Sequence, residues 1–430
     1  MTDNKEMTPT PADNPVKPEK AAKPNALNIF LEEVSRNSLT VTILAILTGL
    51  LLGGLVAVLT TETVYSSFRT SFGLGFREVF RVFGITYSAL FTGSFGQPDV
   101  IRAAIASGDW QQINIAFSPF FESLVQSTPY ILAGLAVALG FRVGLFNIGA
   151  EGQIFVGALA AVWAGTRIHG LPPIIHAPLA LLIGGLGGAL WGFIPGWLKA
   201  KTGAHEVINT IMMNYIAFRL SEYLLTGFLK DPTKAHPISA TVDTAAWLPR
   251  LFPSPNRFHV GFFIALIMAY LVYLLLFKTT LGFQLRTVGL NPNAARYAGM
   301  SIVKNTVLAM ALSGMLAGLA GANEVLGVNR NLGVAFSSGY GFDSIALALL
   351  GNSHPLGVVL ASLLFGFLRN GALRMQLQAG IPIDIISIMQ AAILAFIAAP
   401  GIIRTIYRLK EPKEESGSPL LTAAQKGQPQ

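Results

Sequence analysis

Cysteine is absent from all 430 residues, which removes disulfides, thiolate metal sites and cysteine nucleophiles at once. Histidine is sparse: the six residues are scattered and never fall in an HxxxH or HxxE spacing, so no metal-ligating motif stands out. Charge is scarce too. Asp, Glu, Lys and Arg make up 12% of the chain, against about 25% in a typical soluble domain. No GxxxxGK[ST] phosphate loop occurs, so the chain is not built to hydrolyse nucleotide by itself and calls for no cofactor of its own. Nor does a series of carboxylates run through the apolar stretches, as a proton or sodium relay or a channel filter requires.

What is present is apolar surface: 52% of residues are hydrophobic and the mean hydropathy is +0.55. A single soluble core of this length and composition is excluded, and an all-α polytopic membrane protein is expected. The net charge of +8 then marks cytoplasmic loops and not a nucleic-acid surface. Residues 1–26, rich in Pro, Lys, Thr and Asp, have almost nothing to bury. A disordered cytoplasmic tail is expected up to residue 38, and a second at 405–430. The first apolar run, Leu39–Leu59, lies too far from the start for a signal peptide and reads as a signal-anchor helix. Residues 60–118, with Arg69, Arg77, Arg81 and Arg102, read as an external or interfacial segment.

Further apolar runs near 120–141, 150–168, 174–198, 206–228, 259–278, 304–327, 341–352, 355–370 and 383–400 give about ten spans over 39–404. The run at 341–352 is too short to cross alone and suggests a re-entrant segment near 328–352. Threading these spans puts Lys199, Lys201, Lys278, Arg286, Arg296, Lys304, Arg404 and Arg408 on one side with the basic N-terminal tail, so both termini are expected in the cytoplasm. Arg369 and Arg374 fall on the opposite side in this threading.

"FNIGAEGQIF" (146–155) interrupts two apolar runs with Asn147, Glu151 and Gln153. A carboxylate at membrane depth costs roughly 2.5–3.5 kcal/mol on insertion scales. If the stretch were helical, Asn147 and Glu151 would share a face. Gly149 and Gly152 suggest instead a broken helix near 146–153, whose backbone and polar side chains line a path or tie a structural knot. In "HEVINTIMMNYIAF" (205–218), Glu206 suits a first helical turn and Asn214, deeper, is the better path candidate. Asp343 follows Gly341 as Glu151 follows Gly149, a short internal echo. The polar stretch 279–305 offers a short helix, with Asn291 as N-cap, Pro292 in its first turn and Gly299 at its end. Ala294 and Ala295 give it a thin surface that could enter a cleft on a soluble partner, its arginines meeting acidic groups there. A membrane path with such a helix and no energy source implies an ATPase partner.

"GLFNIGAEGQ", "EVINTIMMNYIA", "LGFQLRTVGLNPNAARYAGM" and "GYGFDSIALALLGNSHPLGV", in this order, resemble permease subunits of bacterial nucleoside ABC importers, within the branched-chain amino acid/ribose-type permease family. The likeness covers roughly residues 120–400, while His205 and Asn209 stand where Asn and Ser are usual. The resemblance implies a type II importer fold in the bacterial cytoplasmic membrane, working with cytoplasmic ATPase subunits, a second and unlike permease, and an external substrate-binding lipoprotein. By the same resemblance, Arg286, Asn291, Pro292, Ala294, Ala295, Arg296, Tyr297 and Gly299 belong to the ATPase-coupling segment (279–304), and Phe146, Asn147, Glu151, Gln153, Asn214 and Asp343 to the substrate path. Phe146 would stack on the cargo. Ribose or another simple sugar is the alternative cargo, and an ion-coupled secondary carrier the alternative machine.

Overall fold

The computed structural model describes residues 38–334 and 336–409, so the expected tails lie almost wholly outside the described residues. The described chain divides into two units, residues 38–44 with 400–409 and residues 45–399. It is built of helices, and among the described residues the only β pairing is three isolated bridges. Helix α1 (Ser38–Thr60) is followed in the 60–118 region by α2 (Glu62–Thr70), α3 (Phe72–Phe95), α4 (Pro98–Ser107) and α5 (Trp110–Ala116). Next come α6 (Ser118–Arg142), α7 (Ala150–Arg167), α8 (Pro173–Thr202) and α9 (Glu206–Thr226). A long loop leads to α10 (Gly261–Lys278), and the polar stretch after it forms α11 (Thr280–Leu290) and α12 (Pro292–Tyr297). The chain continues through α13 (Ile302–Asn323), a π-helical turn at Glu324–Asn329, α14 (Tyr340–Leu350), α15 (Pro355–Ala379), α16 (Asp384–Ala398) and α17 (Pro400–Ile406).

Helices form at all ten apolar runs, and not all of them are long and apolar enough to cross a membrane by length and composition alone. Among the described residues, six helical segments are long and apolar enough to cross a membrane: Thr40–Thr60, Ser118–Arg142, Pro173–Thr202, Gly261–Lys278, Ile302–Asn329 and Pro355–Gln378. Taking α16 and α17 together makes seven. Helix α7 has the length, but polar residues start it and most of it is buried inside the protein, where lipid-like hydropathy is not needed. Helix α9 is likewise long enough and too polar. At 11 residues, α14 cannot cross alone.

The core is centred on α6, where Tyr130–Leu139 are all within 2% of complete burial apart from the glycine among them, itself buried. Around it α7, α8 and α13 pack at distances only small residues allow. A Cβ at Gly188 of α8 would lie 2.2 Å from the Gly314 carbonyl oxygen and 2.6 Å from the Gly318 Cα of α13. The three- and four-residue glycine spacings of both helices are thus the seam between them, and backbone contact supplies the dispersion energy that lipid cannot. On the far side of α6, α15 carries α3, with the Ser94 hydroxyl donating to the Phe367 carbonyl at 2.7 Å. The 60–118 region is therefore docked on the membrane-crossing helices along part of its length.

A half-helix junction as the candidate site

The break at the opening of α7 is real and is held by side chains. After α6 ends at Arg142, residues 143–149 are non-helical, and α7 starts at Ala150. Asn147 is completely buried; its Oδ1 accepts from the Gly149 N–H at 2.9 Å and from the Gln153 amide at 3.3 Å. Its Nδ2 donates to Gln153 Oε1 at 3.0 Å and to the Ser313 hydroxyl at 2.9 Å. Asn214, reaching across from α9, accepts from the Gly152 N–H at 2.8 Å and donates to the Ile148 carbonyl at 2.9 Å. A helix start in an apolar interior leaves backbone N–H groups without intrahelical partners. Asn214 satisfies one of them and one carbonyl of the break besides.

Glu151, in the first turn of α7, accepts from the Gly341 N–H of α14 at 2.6 Å. The two helices begin against one another: a Cβ at Gly341 would lie 2.2 Å from the Glu151 nitrogen. The sequence echo between "GAEGQI" and "GFDSI" therefore marks two facing helix starts, each with an acid in its first turn. Two positive dipole ends meet there, and the Glu151 carboxylate lies between them.

Asp343 lies one turn into α14, where its Oδ2 accepts from the Tyr130 hydroxyl at 2.8 Å and from Arg369 Nη1 at 3.4 Å. Arg369 also donates to the Tyr130 oxygen at 2.6 Å and the Ser338 carbonyl at 3.2 Å, and its guanidinium lies 5.4 Å from the Tyr340 ring centre. Arg369 is therefore the partner of an intramembrane carboxylate and not a loop residue, which removes it from the orientation count. Arg374, five residues on in α15, donates to the Thr92 carbonyl at 3.4 Å.

The junction residues differ in access. Asn147, Glu151, Gln153 and Asn214 are each no more than 2% exposed. The side chains of Asp343 and Arg369 are 34% and 28% exposed, and Phe146 is 40% exposed with its ring 4.9 Å from that of Phe141. Sequence reading missed Arg369 and Tyr130; the available signal was an arginine within an otherwise apolar run.

The coupling stretch folds as its caps require. Asn291 Oδ1 accepts from the N–H groups of Asn293 and Ala294 at 3.1 and 3.0 Å, Pro292 opens α12, and Gly299 takes a left-handed φ of 76° beyond its end. Leu290 and Tyr297 are 87% and 95% exposed, and Pro292, Ala294 and Arg296 are also exposed. Ala295 is instead completely buried. One residue of helical rotation separates the two alanines, so Ala294 faces out and Ala295 packs inward. Arg286 lies over the Phe277 ring at 5.3 Å, turned toward the end of α10. Glu206 pairs with Lys199 at 2.6 Å in the first turn of α9.

Among the described residues no three His, Asp or Glu side chains gather as a metal site would require. No solved structure matches the chain. Among curated proteins, it is 41% identical to the guanosine ABC transporter permease protein NupP of Bacillus subtilis, over 86% of this chain and 95% of that one. It is 38% identical to a glucose ABC transporter permease protein of Haloferax volcanii, over 64% of this chain and 75% of the relative. A nucleoside ABC transporter permease protein of Lactococcus lactis is 37% identical over 66% of this chain and 80% of its own length. The model of the family described as branched-chain amino acid transport system/permease component matches residues 119–398, which take in the broken helix, the facing half-helix and the α11–α12 segment. With more than half its length matched, this multi-pass membrane chain belongs to that permease family.

Proposed function

We propose that this chain is the permease subunit of an ATP-driven importer whose cargo is a nucleoside handed over by an external binding protein. The observation that carries the reading is the 41% identity to a guanosine permease over 86% of this chain. The junction's chemistry supports it. A nucleoside is neutral, with hydroxyls, base-edge donors and acceptors, and an aromatic face. Asp343 and Arg369 offer an acceptor and a donor at partly accessible positions, and Phe146 offers a ring. Asn147, Gln153 and Asn214 hold the helix break behind this surface, and Glu151 fastens the two half-helices together.

Energy comes from a separate cytoplasmic ATPase seated on the outward face of α12, since the sequence has no phosphate loop. A second, unlike permease completes the path. Helix α9 supports this: it exposes Ile208, Met212 and Tyr215 yet is too polar for a lipid-facing span, so a protein neighbour suits it. The clustered basic residues favour a cytoplasmic location for α12 and for both termini.

The test is uptake of labelled guanosine into liposomes holding the complete assembly. Uptake should require ATP hydrolysis, persist with an uncoupler, and be competed by intact nucleosides but not by free ribose. Competition by ribose or glucose, with guanosine inert, would establish instead the sugar reading that the Haloferax relative favours. Uptake that an uncoupler abolishes without ATP being consumed would replace the importer with a secondary carrier.

A further inference from the structure

Near where the docking segment meets the rest of the chain, the end of α6, the turn after α14 and the end of α10 meet at one arginine. Arg142, the last residue of α6, donates from Nε to the Ser353 carbonyl at 2.9 Å and from Nη2 to the Asn352 carbonyl at 3.0 Å. Those carbonyls belong to the turn closing α14, where Asn352 and Ser353 both hold left-handed φ angles of 50° and 49°. Two consecutive non-glycine residues in that region are strained. A cation at a helix C-terminal end opposes that strain with charge-assisted bonds and a favourable dipole interaction. The same guanidinium lies 5.6 Å from the Phe277 ring at the end of α10, and Arg286 of α11 lies 5.3 Å from the same ring. His354 of the turn also packs on Phe277, with ring centres 5.5 Å apart.

A second contact ties the same elements by backbone alone. Gly289, at the end of α11, is so close to the break after α6 that a Cβ there would lie 2.5 Å from the Val143 carbonyl carbon and 2.8 Å from the Gly144 nitrogen. Helix α12 starts three residues later. Displacement of α11–α12 therefore meets no slack. It bears directly on the link leading to α7, and through Arg142 on the turn that ends α14.

We infer that Arg142 is a positioning residue for transport: it joins the ATPase-docking segment to the half-helix that carries Asp343, so that movement at α12 reaches the path. The inference rests on the reading of α12 as the docking segment, and Ala294→Trp tests that reading separately. If Ala294→Trp couples normally while Arg142→Gln uncouples, docking lies elsewhere and the joint stands. If Ala294→Trp uncouples and Arg142→Gln does not, the joint alone fails.

The experiment uses the full assembly in liposomes with a single reporter cysteine, Phe342→Cys, beside Asp343 in this cysteine-free chain. Phe342 is 47% exposed, so a fluorophore can reach it. In Arg142→Gln, assembly and basal ATP hydrolysis should match the parent. Substrate-stimulated hydrolysis and uptake per assembled complex should fall at least tenfold, and the reporter should no longer respond to ATP binding. Arg142→Lys, which keeps the charge but not the two-pronged geometry, should recover part of both. Should Arg142→Gln assemble poorly, Arg142→Lys decides the matter: it keeps the cation at the turn and should assemble, while without the paired bonds to the Asn352 and Ser353 carbonyls its uptake and reporter response should stay below the parent's. Normal uptake per complex with a normal reporter response in the variant that assembles would overturn the inference.

Discussion

Replacing Asn147 with alanine separates the two jobs assigned to the junction. The change deletes an amide that accepts from the Gly149 N–H and engages the Gln153 amide and the Ser313 hydroxyl, all in a site with no exposed surface. Each buried group left without a partner costs about 1–3 kcal/mol. The Ser313 hydroxyl still donates to the Ala136 carbonyl at 2.6 Å, so only its acceptor side is lost. Taking Gly149 and Gln153 as the groups truly stranded gives a loss of about 2–6 kcal/mol. The thermal transition of the detergent-solubilised permease should fall by about 4–24 °C, by the scaling of about 2–4 °C per kcal/mol for domains of moderate size. Uptake per assembled complex, measured below that transition, should stay within about twofold of the parent. Asp343→Asn should behave in the opposite sense. It keeps the shape, leaves an oxygen for the Tyr130 hydroxyl, and removes the charge facing Arg369 at a partly exposed position. Its transition should move little and its uptake should fall about tenfold. An Asn147→Ala protein that melts like the parent but does not transport would refute the division between a buried brace and an accessible path.

Ala294→Trp, on the outward face of α12, should abolish substrate-stimulated ATP hydrolysis with normal folding; Ala295→Trp, at a completely buried position, should lower the yield of folded permease instead, as size-exclusion profiles would register. A cysteine at Tyr297 should react with impermeant reagents only from the cytoplasmic side and one at Thr241 only from outside, and the reverse pattern would invert the orientation. Gly188→Val should cost at least 2 kcal/mol, read as a fall of several degrees in the thermal transition, because the added atoms meet α13 backbone and not a side chain that can swing away.

The break before α7 was legible in the sequence because glycine and amide side chains stand out against apolar runs. Its bracing was not, because the partners come from afar: Asn214 bonds to Ile148 across 66 positions, Ser313 to Asn147 across 166 and Glu151 to Gly341 across 190. No local pattern encodes such pairings. Arg369 was misplaced for a related reason. Counting basic residues treats every arginine as a loop residue, and only the fold reveals a carboxylate waiting for one inside the membrane. The caps of α12 could be read from Asn291, Pro292 and Gly299, since capping chemistry is local. Which alanine faces outward could not, because six residues are too few to define a face. The count of about ten spans is not settled by hydropathy alone, because α7, α9 and α14 are short or polar, and membrane depth and protein interior are equally apolar to such a count.

The facing starts of α7 and α14 also bear on the membrane voltage. Each helix end presents roughly half a positive elementary charge, and an ionised Glu151 between them would balance both. Asp343 and Arg369 cancel in the same way. With Glu151 ionised, the junction is close to electrically neutral. A single uncompensated charge moved through 100 mV would add or subtract about 2.3 kcal/mol per step. Under the importer proposed above, uptake should then persist when the membrane potential collapses.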